Sequence, residues 1–195
     1  MYNNLLQFRV LKMGYDTEFS GYFVIDTPLT QNQIHYIQKF SETRRMKRIE
    51  SKIGELEDPL REAVNLPIGE DGEYYVGSKE YSLCAGDSCI VNNNYPPSSQ
   101  PGLWCNWTVS NDGLRLEWNG TEKFYSYIDW IHYMINHFFT PWQKTLKGVI
   151  TWQGEYPDDH GKITIKDSVV TISYANELIS NDIDNSRKKI LKLFA

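Results

Sequence analysis

The sequence predicts an α+β domain whose inner part runs strand–helix–strand–strand–helix–strand, the ferredoxin-like order. Three observations predict it. A capping-box pattern, Thr30 with Gln33, opens a helix directly behind the β-rich run GYFVIDTPL. The stretches LWCNWTVS and GLRLEWNG alternate with a period of two on either side of Asn111-Asp112-Gly113, a hairpin-type turn. Finally, FYSYIDWIHYMINHFF carries apolar residues at the helical period and is followed by another strand pattern, LKGVITWQGE.

Taken in order, Leu6, Phe8 and Val10 alternate with polar neighbours and predict a short edge strand. GYFVIDTPL is the first inner strand, stopped by Pro28. In the helix that follows, Ile34, Ile37 and Phe40 share a face. The helix is expected to finish in Arg44-Arg45-Met46-Lys47-Arg48, with the charges complementing its dipole and staying in water; an anion or phosphate site is the alternative. Ile49, Ile53, Leu56, Leu60 and Val64 extend the helical pattern, interrupted near Asp58-Pro59 because a residue before proline avoids the helical region. Residues 66–102 are dense in Gly, Pro, Asn and Ser and predict a long irregular insertion. Its Tyr74, Tyr75, Tyr81 and Tyr95 favour an ordered loop packed on something.

The alternation in LWCNWTVS assigns Leu103, Cys105, Trp107 and Val109 to one face and Trp104, Asn106 and Thr108 to the other. In GLRLEWNG, Leu114, Leu116 and Trp118 point inward, and Arg115 and Glu117 outward. The second helix, capped by Thr121 or Ser126, shows a stripe of Phe124, Ile128, Ile131, Ile135 and Phe138 that Tyr127, Trp130 and Met134 widen. Burial of each large side chain contributes roughly 1.5–3 kcal/mol, which makes this helix the centre of the core. Pro141 ends it and Trp142 packs at the exit. A hairpin around Lys166-Asp167 is added, and then a C-terminal amphipathic helix within 178–195, carrying Ile190, Leu191 and Phe194 against Arg187, Lys188, Lys189 and Lys192. Docking on its own domain is the usual fate of such a helix; a membrane surface or a partner is the alternative. The whole chain, 1–195, reads as a single domain with no internal repeat.

Composition narrows the function. The 195 residues are 41% hydrophobic and 14% aromatic, enough to bury a core. A net charge of −5 and a pI near 5.4 argue against nucleic-acid backbone as the main partner. There is no run of 18 apolar residues, so no membrane span is expected, and MYNNLLQFRVLKMG does not read as a signal peptide. An odd count of cysteines, 3, fits a reducing compartment, and the acceptor patterns at Asn106 and Asn119 carry no meaning without secretion. The expected location is cytoplasmic.

The stretches QPGLWCNW, LEWNGTEKFYSYIDWIHYMI, FTPW and WQGEYPDDHGKI, with GYFVIDTPLT and RRMKR upstream, form a distinctive aromatic-rich pattern. This pattern, from about Gly21 to Ile165, resembles a family of uncharacterised bacterial and bacteriophage proteins; Ile131 stands where that family carries Leu. The resemblance implies an intracellular protein and supplies no chemistry. Its distribution suggests an inhibitor or sponge of a host defence component.

Candidate chemistry is thin. Cys84, Cys89 and Cys105 with His35, His132, His137 or His160 could supply zinc ligands, but the spacing is not that of a knuckle and Cys105 faces the core, so no metal and no cofactor are expected. Glu117, Glu155, Asp158, Asp159 and His160 could converge at one end of the sheet, hold magnesium and run hydrolysis of a nucleotide or phosphoester. Yet YPDDHG is also an ordinary turn, and Arg115 beside Glu117 an ordinary ion pair. No P-loop, nucleophile elbow, dinucleotide fingerprint or zincin motif is present. His132 and His137, five apart, do not share a helix face, and one of them is a boundary residue. The remaining reading is a binding surface: Trp104, Asn106, Thr108, Arg115 and Glu117 on the outer sheet face, beside the tyrosine-rich loop, for a protein partner, a second copy of the chain or a small nucleotide-like ligand.

Overall fold

A computed structural model of the chain describes residues 14–77 and 88–174. The strand expected around Leu6–Val10, Tyr81, Cys84 and the C-terminal helix lie outside the described residues. Within them the molecule is a mixed α+β structure with a mostly antiparallel sheet and few helices. The elements are β1 (Thr17–Ile25), α1 (Gln31–Glu42), β2 (Lys47–Arg48), α2 (Glu50–Ile53), α3 (Pro59–Ala63), β3 (Ile90–Asn92), β4 (Trp107–Val109), β5 (Arg115–Trp118), α4 (Tyr127–Met134), β6 (Leu146–Gly154), β7 (His160–Lys166) and β8 (Val169–Tyr174). No helix among the described residues is long and apolar enough to cross a membrane.

The six-stranded sheet has the order β4-β5-β1-β6-β7-β8, each neighbour antiparallel to the next. β1 pairs with β6 along its whole length, from Thr17↔Gly154 to Ile25↔Leu146. Paired residues share a face. Phe23, Ile25, Trp107, Val109, Leu116, Ile150, Trp152, Ile163 and Ile165 are therefore one surface, and all are buried in a single cluster with Ile34, Ile37 and Phe40 of α1 and Trp130, Ile131 and Met134 of α4. Both long helices consequently lie on the same side of the sheet.

α1 begins as predicted. The Thr30 hydroxyl accepts from Gln33 N, and the Gln33 side chain accepts from Thr30 N at 2.9 Å. α4 begins differently: Ser126 occupies the cap position in the left-handed region, φ 53°, and its hydroxyl makes no capping bond. α4 runs into a π-helical turn, Ile135–Phe139, whose wider winding turns Ile135, Phe138 and Phe139 all inward. Trp142 then stacks on Phe138 at 5.6 Å.

The basic run differs from expectation. α1 stops at Glu42, Thr43 is extended (φ −93°, ψ 125°), and Arg44–Arg48 continues outside the helix into β2. Arg45 and Arg48 are buried, at 0% and 6% exposure, not solvated. The cause is a set of acceptors brought from far along the chain: Arg45 donates to Glu73 O at 2.6 Å, Tyr75 O at 3.0 Å and Gln100 Oε1 at 3.3 Å, with its guanidinium 4.1 Å from the Phe40 ring centre. The described parts of the segment 66–102 are likewise less irregular than predicted, since β3 pairs with β2 and Glu70–Gly72 forms a 3-10 turn. Tyr74 does pack, as its type suggests: its carbonyl accepts from Tyr36 Oη at 2.9 Å and its ring meets Phe138.

Candidate binding face

Because the helices and the Tyr74 segment pack on one side, the opposite side of the sheet carries the alternate residues of every strand. The register arranges them in cross-strand rows: Tyr22–Val149–Thr164–Thr171, Arg115–Val24–Lys147, Ser20–Thr151–Lys162–Ser173 and Glu18–Gln153–His160. Thr108 pairs with Glu117 at the β4 edge. Tyr22 is 46% exposed, Val149 43% and Val169 66%, so no described segment covers the middle of the face or its β8 edge. Arg115 stacks over Tyr22, 5.4 Å from its ring centre, and reaches Glu117 at 3.9 Å. An exposed aromatic ring, a neighbouring valine and a held guanidinium form a surface with apolar contact area and a directed donor.

Of the residues assigned to this face from the sequence, Thr108, Arg115 and Glu117 are on it. Trp104 and Asn106 are not. β5 ends at Trp118, paired with Trp107, and a single further bond, from Asn119 N to Asn106 O, continues the ladder, so the alternation does not carry on to Trp104. Asn106 is 2% exposed; its side chain donates to Thr121 O at 3.4 Å and its carbonyl accepts Asn119 N at 3.0 Å. Trp104 stands under the Arg44 guanidinium, 5.7 Å from its ring centre, while the adjacent Leu103 O accepts Arg45 N at 2.9 Å. Leu114, expected inward, is 37% exposed. Of the tyrosine-rich loop, Tyr74 packs on the helical side, Tyr75 O accepts from Arg45, and Tyr95, 64% exposed, lies at β2 with its carbonyl accepting Lys47 N at 2.9 Å.

The candidate acids divide into two places. Glu155 Oε1 accepts Asp16 N at 3.0 Å, and Asp159 accepts Tyr15 Oη and, at 3.4 Å, Trp152 Nε1. Both fasten the β6–β7 turn to the start of β1. Asp158 is exposed, and exposed His160 donates through Nδ1 to Pro157 O at 2.8 Å within the same turn. Glu117 lies one position past the pair Phe23↔Leu116, beside Tyr22 and away from that turn. Among the described residues no group of three or more His, Cys, Asp or Glu is placed to hold a metal ion. The Cys105 thiol, fully buried, is pushed up to about 12 by burial, which leaves it protonated and unreactive at neutral pH.

Sequence reading missed Tyr22, Val149 and the lysines of this face. Their signal was present as alternation in GYFVIDTPL, LKGVITWQGE and GKITIK, but placing them together needs the register between strands. It also missed a buried polar cluster behind the helices. Besides Arg45, this holds Glu73, whose carboxylate accepts from Ser99 and from Tyr133 Oη, and Gln100, which donates to Glu73 O at 2.6 Å. His137, half-buried, stacks on Tyr133 at 4.1 Å and shares a hydrogen bond of 2.6 Å with Tyr74 Oη; burial pushes the Tyr74 hydroxyl up to about 12. With Arg45 donating to two main-chain carbonyls, the cluster is a clamp for the 70–77 segment. No protein-family model, no curated protein and no solved structure matches the chain.

Proposed function

We propose that the chain acts by binding, without covalent chemistry, and that the open face of the sheet is its interaction surface. The observation that carries this reading is the exposed pair Tyr22 and Val149 at the centre of a face on which no described segment packs, with Arg115 already held over Tyr22. Apolar and aromatic side chains set among charged ones at the centre of a patch are the composition of interface cores. The surface reaches beyond the residues the alternation alone selects: Thr108, Arg115 and Glu117 stay in it, and Tyr22, Val149 and the lysines of β6 and β7 join them. The separation of Glu117 from Glu155 and Asp159 weighs against a carboxylate hydrolase. We also read the frame as ferredoxin-like. The neighbour order β6-β1-β5-β4, with α1 and α4 packed on one face, supports that reading, with β7 and β8 as an added hairpin.

The test is native mass spectrometry of the gently purified protein beside a Tyr22→Ser/Val149→Ser variant. A co-purifying mass on the wild type that is lost from the variant is the expected result. A mass retained by this variant but lost from Glu155→Gln would move the site to the β6–β7 turn and overturn the proposal.

A further inference from the structure

The open face differs in charge from the chain that carries it. On a molecule of net charge −5, it presents the cations Arg115, Lys147, Lys162 and Lys166 against the carboxylates Glu18 and Glu117. Arg115 and Lys147 both face Val24 in register, and Lys166 lies one position past the pair Gly148↔Ile165, beside Lys147. Three cations therefore cross four neighbouring strands in one row. Like charges on adjacent strands repel and cost stability. Among the described residues none of Lys147, Lys162 and Lys166 has a carboxylate within ion-pairing distance, whereas Lys47 is paired with Asp71 at 2.8 Å. The Arg115–Glu117 contact of 3.9 Å, with side chains 43% and 33% exposed, is too long and too solvated to neutralise the row.

An unneutralised basic row beside an exposed apolar pair has a complement of definite chemistry. We infer that the open face takes an acidic segment of a partner protein, whose carboxylates meet Arg115, Lys147 and Lys166 while an apolar side chain sits on Tyr22 and Val149. This rests on the open face being the interaction surface. A polynucleotide is the poorer fit: Glu18 and Glu117 lie within the same face, a single exposed ring offers little base stacking, and the acidic remainder of the chain repels a dense polyanion. Complementary charge of this kind steers encounter and sets specificity, and it weakens with salt.

The experiment uses the full chain and a fluorescein-labelled peptide of alternating glutamate and valine, read by anisotropy and by amide chemical-shift mapping. Comparison probes are an alternating lysine–valine peptide and oligothymidylate. The expected result is binding of the glutamate peptide with shifts on β1, β6 and β7, affinity falling about tenfold in Lys147→Glu/Lys166→Glu and with added salt, and affinity kept in Lys147→Arg/Lys166→Arg. These lysines are exposed, so the reversals leave folding intact, which circular dichroism checks. Equal or tighter binding of the lysine peptide at the same amides would overturn the acidic partner and keep the face. Tighter binding of oligothymidylate would replace the protein partner with a nucleic acid. Glutamate-peptide shifts confined to other elements would overturn the face itself.

Discussion

Arg45 shows how one residue can organise a segment far from it in sequence. Its side chain is fully buried, and burial works against its charge, lowering its pKa from the usual arginine value. The guanidinium is kept there because three of its nitrogens meet buried acceptors, Glu73 O, Tyr75 O and Gln100 Oε1; Glu73 O has a second donor in Gln100, whereas the other two rely on Arg45. Removing it while leaving those acceptors buried costs their desolvation as well as the bonds. Arg45→Met should therefore lower unfolding free energy by about 3 kcal/mol or more in urea titration. Arg45→Lys should also destabilise, since one ammonium cannot span the fork. Arg44, half-buried and bonded to Asn93 O at 3.0 Å, is the control: Arg44→Met should cost roughly 1 kcal/mol or less. Equal losses at the two positions would show that Arg45 is not the clamp.

At the scale of elements, the long β1–β6 pair depends on two glycines. Gly21 and Gly148 adopt φ of +105° and +143°, and a Cβ at either would stand 2.6 Å from Val149 O or 2.8 Å from Tyr22 O. Both contacts are with main chain, which cannot move without breaking the ladder. Gly148→Ala should then destabilise by about 2 kcal/mol, measured by the denaturation midpoint at unchanged slope, although alanine normally favours order over glycine. A neutral or stabilising outcome would show that the strands pair without this kink. These elements were visible in the sequence to very different degrees. The capping box of α1, the β4–β5 hairpin and the apolar girth of α4 are local patterns, and each appears where its residues predict. The ends were less legible. α1 stops before the arginines because acceptors 28, 30 and 55 residues away draw Arg45 out of the helix, and β4 starts late because only one bond, Asn119 N to Asn106 O, extends its ladder with β5 past Trp107.

For the molecule as a whole, the decisive property is that its two sheet faces differ, and neighbouring residues of β6 report on them independently. Ile150 is 0% exposed against the helices, whereas Val149, the next residue, is 43% exposed on the other side. The candidate face was legible only in part for this reason: alternation says which residues share a side, but only the cross-strand register joins Tyr22, Val149 and the lysines into one surface. The same replacement at the two positions separates the faces. Ile150→Thr removes buried hydrocarbon and buries a hydroxyl, and should cost about 2–4 kcal/mol. Val149→Thr keeps the branched shape and β propensity at an open site, and should change stability by less than about 0.5 kcal/mol. Both are read from the same urea titration of the full chain. Comparable large losses at both positions would mean that the face is packed over in the intact protein, leaving no surface for a partner. A loss at Ile150 alone leaves the face open, and its charge then selects what lands there.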